Sequence, residues 1–492
     1  MVTVNHFING AFFGIEEATS DIYDPSSGKK IGEVLNGSSS DLNLATQAAH
    51  EAFSGWSKTG LAYRANLLLA CRQALLEQKD YFVGICTLEA GKTCADSSAE
   101  FDKAMEGIAY AASVSSWFRT PSTQNISAGI DVADVRFPIG VIAAVSPFNF
   151  PVLIPVIQAA MAIATGNTVV VKPSEKVPTA FTNIAAVMQE AGLPPGVLNV
   201  VNGGRSLVEA MMEHPDIAGL SFVGSSVVAK QLKMKGVENE KRVQAFGSGK
   251  NHMVVLPDAD LDMAADAAVS AAYGASGQRC MAISVLVAVG DIGDELSAKI
   301  IERIPKINIG ATSDANVQLG PVISEESHRR ICALVKEAAK RGADVSVDGT
   351  MYDSGGWFIG ATLIDHVRPG MTIYDQEVFG PVLCIVRSPC FEDAMSIIAG
   401  HPLGNGASIF TSNGGAARKY AEEVQVGMVG INVPIPVPPW SHSFGGWKTS
   451  AYSDSKLTGP ESLNFYSRVK AITTRWPDPK QSKVDLGFVR HS

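Results

Sequence analysis

The sequence predicts an α/β protein built on parallel sheets, with two domains and a cleft between them. Three observations carry that expectation. Short β-branched runs alternate with helical stretches from Gly140 to Val223, a grammar that implies right-handed βαβ crossovers. The same alternation restarts after Lys250. The 492 residues, 46% apolar and 18% charged with 46 glycines and 25 prolines, supply core for about three domains, or two large ones with an appendage.

Charge and composition narrow the partners. A formal net charge of −9 without a long basic run argues against nucleic acid or an anionic membrane and favours small molecules. The seven cysteines (Cys71, Cys86, Cys94, Cys280, Cys332, Cys384 and Cys390) form no CxxC pair, so a reducing compartment is expected rather than a disulfide scaffold. The nine histidines lack metal-ligand spacing, and no metal is expected. Residues 1–7 carry neither a signal pattern nor an arginine-rich presequence, which reads as a cytoplasmic protein. The most apolar run, Val152 to Thr165, is too short to cross a bilayer and contains Pro155, so a buried helix is expected there.

In chain order, residues 7–36 alternate apolar runs with Asn-Gly, Asp-Pro and Ser-Gly turns and predict a β-meander. From Ser40 to about Phe118 the apolar positions recur at helical spacing, giving several amphipathic helices, with Glu89-Ala90-Gly91-Lys92-Thr93 as a helix-ending turn. Residues 121–136 turn polar and β-prone and predict a protruding hairpin. Strands are then expected at Gly140–Val145, Thr168–Lys172, Val197–Val201 and Gly219–Val223, separated by helices at Pro151–Thr165, Pro178–Ala191 and Ser206–His214. In the second half, a strand at His252–Leu256 and a helix at Leu261–Tyr273 lead to Cys280, expected at the head of another helix. Val285–Val289, Gly356–Leu363, Gly380–Val386 and Ala407–Phe410 read as further strands. The stretch 461–476 alternates again and could extend a sheet with the hairpin, leaving an edge for another subunit.

Several motifs fall where such sheets bind ligands, at the carboxyl ends of strands. The run Gly274-Ala275-Ser276-Gly277-Gln278-Arg279-Cys280 places one cysteine after a glycine-punctuated loop with a fixed cation beside it. A thiolate is nucleophilic, and cations or helix N-termini favour it; a buried structural cysteine is the alternative. Lys172-Pro173-Ser174-Glu175 follows a strand directly, so both charged side chains can reach ribose hydroxyls, or merely solvent. Phe222-Val223-Gly224-Ser225-Ser226 ends a strand and opens a helix whose free amides suit a pyrophosphate, although it is not a GxGxxG fingerprint. Pro147-Phe148-Asn149-Phe150-Pro151 holds an amide donor between prolines and aromatics, as an oxyanion site or a turn requires. Asp375-Gln376-Glu377-Val378-Phe379-Gly380-Pro381 puts an acid and an aromatic two apart before a strand, able to hold a ribose and face a flat ring, although surface turns look alike.

Together these motifs, with Ser443-Phe444-Gly445-Gly446-Trp447-Lys448, resemble the aldehyde dehydrogenases in type and order, from about residue 7 to residue 476. The resemblance implies that family's fold: a Rossmann-like parallel-sheet NAD domain (1–120 and 137–246), an α/β catalytic domain (247–448), a small β oligomerisation flap (121–136 and 449–476) and a tail (477–492). It implies Cys280 as nucleophile and Asn149, with the Cys280 amide, as the oxyanion site. Lys172 and Glu175 would take the adenosine ribose, Ser225 the pyrophosphate, Glu377 the nicotinamide ribose, with Phe148 and Phe379 beside the cofactor and Phe150 beside the substrate. Glu175 stands where a 2′-phosphate would lie, which favours NAD over NADP.

One departure directs the chemistry. Hydrolytic members carry a glutamate base before a Gly-Gly-Lys, whereas here Gln244-Ala245-Phe246-Gly247-Ser248-Gly249-Lys250 has no carboxylate. A thiol needs less help than water, so coenzyme A is the expected acyl acceptor, with a hydrolytic dehydrogenase as the alternative. Lys250-Asn251-His252, Arg279-Cys280-Met281-Ala282-Ile283-Ser284 and the stretch 427–438 resemble the CoA-acylating methylmalonate-semialdehyde branch. There, two arginines grip a substrate carboxylate; the resemblance assigns one role to Arg279 and the other to Lys103, which keeps the charge without the bidentate fork. The expected activity is oxidation of a short, carboxylated semialdehyde such as malonate or methylmalonate semialdehyde to an acyl-CoA, by a homodimer or homotetramer.

Overall fold

The computed structural model describes residues 2–14, 18–352 and 354–476. The expected tail, 477–492, lies outside the described residues. Among the described residues two large sheets carry the fold. The first has eight strands in the order Ala451–Tyr452, Arg242–Phe246, Ile217–Val223, Val141–Val145, Thr168–Lys172, Leu198–Val200, His6–Ile8, Ala11–Phe13. The five central strands are parallel and the edge strands antiparallel. Both Val141–Val145 and Thr168–Lys172 are buried at every residue, which is why they read as continuous apolar runs rather than alternating ones. From Val141–Val145 the chain builds outward on one side, then returns to build on the other. That reversal opens a crevice at the carboxyl ends of these strands.

The second sheet runs Asp344–Val347, Thr362–Asp365, Val382–Ser388, Ile283–Val289, Asn251–Val255, Gly406–Phe410, Met428–Ile431, parallel except at its first edge. A smaller antiparallel sheet joins the hairpin Ser122–Ser127 and Ile130–Pro138 to Ser467–Arg475, with nine register pairs along the last two.

Helices cover the first sheet. Thr93 starts the helix Cys94–Ala112 by accepting the Asp96 amide at 3.1 Å, and Phe101, Ala104, Met105, Ile108 and Ala111 form its buried stripe. That stripe packs on Leu153–Ala164, whose last eleven residues are all buried, as the length and Pro155 of the apolar run foretold. Phe82 and Phe101 stack at 5.9 Å, both essentially unexposed, and each such side chain contributes about 1.5–3 kcal/mol.

Three expectations are corrected. The meander over 7–36 is split: His6–Ile8 and Ala11–Phe13 extend the first sheet, while Val2–Val4, Thr19–Asp24 and Lys29–Leu35 form a separate sheet with a parallel pair. Within 449–476, Ala451–Tyr452 adds to the first sheet, and the strand that meets the hairpin is Ser467–Arg475. Cys280 heads no helix: three residues later the chain enters the strand Ile283–Val289, because Ile283, Val285, Val287 and Val289 suit a buried pleat.

Candidate active site

The Cys280 loop is set by backbone that only particular residues tolerate. The helix Leu261–Tyr273 stops at Gly274, and Ala275, Ser276 and Gly277 follow with φ of 50°, 55° and 66°. Two consecutive non-glycine residues in the left-handed region are costly and persist where the surroundings fix them. Here Ser276 Oγ donates to the Gly320 carbonyl (2.7 Å), and the Ile323 amide donates to Gln278 Oε1 (3.0 Å). A Cβ on Gly277 would lie 2.0 Å from the Gly380 carbonyl oxygen, so the loop can only close on glycine. The Cys280 carbonyl accepts from Asn251 and Asn405 Nδ2, each at 2.9 Å, and Gly249 passes close enough that a Cβ would fall 2.6 Å from that oxygen.

Burial, and then the Glu377 carboxylate, push the Cys280 thiol up to about 12; the Cys280 and Met281 amides and the Arg279 charge oppose this. The resting group is therefore a thiol, and Arg279 is its weakest tuner. Arg279 Nη2 is turned to Asp96 on the helix Cys94–Ala112, at 2.5 Å.

Across the loop, Asn149 leaves the strand Val141–Val145 and donates Nδ2 to the Gln278 carbonyl at 3.0 Å. Asn149 and Cys280 share a cavity of about 960 Å³ with Phe148, Phe150, Lys172, Glu175, Ser225, Glu377 and Phe379. Lys172 Nζ donates to Glu175 at 2.7 Å; burial would raise the Glu175 pKa, but the Lys172 charge and hydrogen bond outweigh it and hold it below the usual value. Ser225 caps the helix Ser226–Glu238. Phe148 and Phe379 meet edge to face at 5.7 Å, and Phe379 holds a φ of 52°. Glu377 accepts the Gly249 amide at 2.8 Å; burial raises its pKa against that amide, the Ser248 hydroxyl and Lys250.

The structure does not bring Lys103 to this cavity. Lys103 Nζ pairs with Glu106 at 2.5 Å on the outer side of its helix, where the side chain is 44% exposed. Arg279 likewise faces Asp96 rather than the cavity wall.

Sequence reasoning missed four groups. Lys250 is buried and its Nζ donates to the carbonyls of Ile373 (2.7 Å) and Gln376 (2.9 Å), fixing the approach to Glu377. Asn405 shares the Cys280 carbonyl with Asn251. Phe246, directly before the Gly247–Lys250 turn, lines the cavity and packs with Ile154 and Leu457, with Phe150 and Phe444 alongside. Lys92 pairs with Glu100 beneath the Asn149 loop. The one available signal was a lysine and a threonine next to a helix-ending glycine; the other contacts join residues far apart in the chain.

A buried thiol and a side-chain amide lining one cavity at the carboxyl ends of parallel strands fit an aldehyde-oxidising class of site. The chain belongs to the aldehyde dehydrogenase family, whose model matches residues 14–472. It is 42% identical to a malonate-semialdehyde dehydrogenase of Pseudomonas aeruginosa, over 97% of each chain. It is 40% identical to malonate-semialdehyde dehydrogenase 3 of Geobacillus kaustophilus, over 96% of this chain and 99% of that one. Among solved structures, methylmalonate-semialdehyde dehydrogenase from Oceanimonas doudoroffii superposes with a TM-score of 0.96 at 40% identity, over 98% of this chain and 99% of that one. A Sinorhizobium meliloti structure complexed with NAD gives the same TM-score, identity and coverage.

Proposed function

We propose that the chain is an NAD-dependent, CoA-acylating dehydrogenase of a short semialdehyde. The observation that carries this is Cys280 and Asn149 on one cavity, with Phe246 in its wall and no carboxylate in the stretch 244–250 where the family resemblance places a hydrolytic base. The malonate-semialdehyde and methylmalonate-semialdehyde relatives support the substrate class and the acyl acceptor.

The donor set fits a dinucleotide. Lys172 and Glu175 stand at a strand end as a ribose pair, the helix N-terminus at Ser225 opens to the cavity, and Glu377 presents a buried carboxylate near Phe379. Bound there, NAD supplies a hydride acceptor.

The chain's residues do the rest. The Cys280 thiol releases its proton to solvent as Sγ adds to the aldehyde carbonyl, and the new oxyanion is met by Asn149 Nδ2 and the Cys280 amide. The aldehyde hydrogen leaves with its electron pair to the cofactor and the carbonyl re-forms as a thioester on Sγ. The thiol of coenzyme A then attacks; its proton passes to the departing Cys280 sulfur, and acyl-CoA leaves. Without a carboxylate at 246, water at the thioester has no base there to activate it.

We assign a substrate carboxylate to Arg279 on its place beside Cys280, with the guanidinium turning from Asp96, which it faces in this structure, to the substrate. A guanidinium carries five donors, of which Asp96 engages Nη2. Lys103 is not assigned. Arg279→Ala is expected to raise the KM of malonate semialdehyde at least tenfold while changing that of propanal less than threefold; equal effects on both would remove Arg279 from the substrate. We also propose a homodimer or homotetramer, in keeping with exposed Val469 and Ile472 on the outer strand Ser467–Arg475. The test of function is a panel of semialdehydes and simple aldehydes with NAD, with and without CoA, with the product identified. Acyl-CoA from a semialdehyde supports the proposal; free acid at full rate without CoA rejects it.

A further inference from the structure

The Lys92–Glu100 pair is buried, has no contact with the cavity, and is connected to the site at several points. Gly91, in the left-handed region at φ 63°, ends the helix Lys79–Ala90 and turns the next residue inward. Lys92 is 7% exposed; its Nζ pairs with Glu100, donates to the Asn149 carbonyl at 3.2 Å and lies 4.6 Å from the Phe150 ring centroid. Glu100, 3% exposed, uses its other oxygen to accept the Val152 and Leu153 amides at 2.8 and 2.9 Å. One buried ion pair thus grips the Asn149 loop on both sides: at the Asn149 peptide itself and at the first amides of the helix Leu153–Ala164. The third hold is the Asn149 side chain on the Gln278 carbonyl, two residues before Cys280.

A buried ion pair seldom stabilises a fold more than apolar groups of its size would, so stability alone does not account for this one. Orientation does. A side-chain amide can serve a developing oxyanion only if its backbone is fixed, and errors near 1 Å in such geometry cost about 100-fold in rate. We propose that Lys92 and Glu100 are positioning residues for the oxyanion donor: Lys92 fixes the Asn149 peptide, and Glu100 holds Lys92 and the helix start in register. This rests on the assignment of Asn149 and Cys280 above.

The experiment compares Lys92→Met/Glu100→Gln, Lys92→Arg and Asn149→Ala with the unaltered enzyme, reading the pre-steady-state NADH burst rate, the Kd of NAD and Tm. The double variant leaves no lone buried charge, and the Gln side-chain oxygen still accepts the Val152 and Leu153 amides. Its burst rate is expected to fall about 10- to 100-fold, with Kd for NAD within twofold. Adding Asn149→Ala to it is expected to cost less than threefold more, because the donor is already misplaced. Lys92→Arg, which keeps the ion pair but not the point donor at the Asn149 carbonyl, is expected to retain Tm and lose burst rate. If Lys92→Arg restores the burst, or if Asn149→Ala costs its full factor in the double variant, the pair is structural only and the proposal is overturned. Cys280→Ala separates the two failures: an undiminished burst in that variant rejects the function itself.

Discussion

At the residue scale, the environment of Cys280 holds its side chain as a thiol. Burial and the Glu377 carboxylate together outweigh Arg279 and two amides, so the neighbouring arginine lowers the thiol's pKa without making it a thiolate at rest. The sign follows directly: a pKa near 12 means that the thiolate fraction of the free enzyme keeps rising through pH 7–10. The Cys280-specific rate of iodoacetamide alkylation is therefore expected to climb about tenfold per pH unit over that range; a plateau below pH 9 would contradict it. Phe246 offers a second residue-scale prediction. Phe246→Glu places a carboxylate on the apolar wall formed with Ile154 and Leu457, and CoA-independent release of free acid is expected to rise at least tenfold, read as the acid to thioester ratio. An unchanged ratio would show that Phe246 does not govern the acceptor. Lys103 was misplaced although its helix contained the answer: Phe101, Ala104, Met105 and Ile108 define the inward stripe, and Lys103 lies beside it with Glu106.

At the element scale, legibility followed burial pattern. The strand Thr168–Lys172 and the helix Leu261–Tyr273 were readable to the residue, one as an unbroken β-branched run, the other as an alanine-rich helix behind the Asp260 cap. Met281-Ala282-Ile283 suits a helix or a strand; the pairing of Ile283–Val289 with two neighbouring strands decides it. The Lys92 to Asn149 contact spans 57 residues and leaves no local pattern. Another contact of this kind yields a prediction about pH. Glu89 accepts the Thr179 amide at the start of the helix Thr179–Glu190, and burial raises its pKa to about 7 against hydrogen bonds from Thr179. A raised carboxyl pKa means that the native state holds the proton longer than the unfolded chain, so stability falls as pH rises from about 4.5 to 7. Glu89→Gln is expected to flatten that decline, by an amount on the order of a few kcal/mol; chemical denaturation at pH 5 and pH 8 checks it.

At the whole-molecule scale, the two sheets place Asn149, Lys172, Glu175, Ser225, Cys280 and Glu377 around one cavity, while the small sheet stands apart. Its outer strand pairs along nine residues with the hairpin and leaves Val469 and Ile472 exposed. Val469→Asp/Ile472→Asp is expected to lower the oligomer order in sedimentation velocity without unfolding the subunit; an unchanged sedimentation coefficient would place the subunit contact elsewhere. The two large sheets were legible because each repeats its own βαβ grammar, whereas the way distant loops hold one another depends on contacts that no periodicity encodes.

The central claim is that Cys280 forms a thioester which coenzyme A, and not water, resolves. The most direct measurement is a single-turnover reaction of enzyme, NAD and malonate semialdehyde without CoA, followed by intact-protein mass and then by CoA addition. One NADH per active site, an acyl adduct on Cys280 that persists, and its release as acyl-CoA on addition are predicted. Continuous NADH formation with free acid and no adduct before CoA is added would contradict the account.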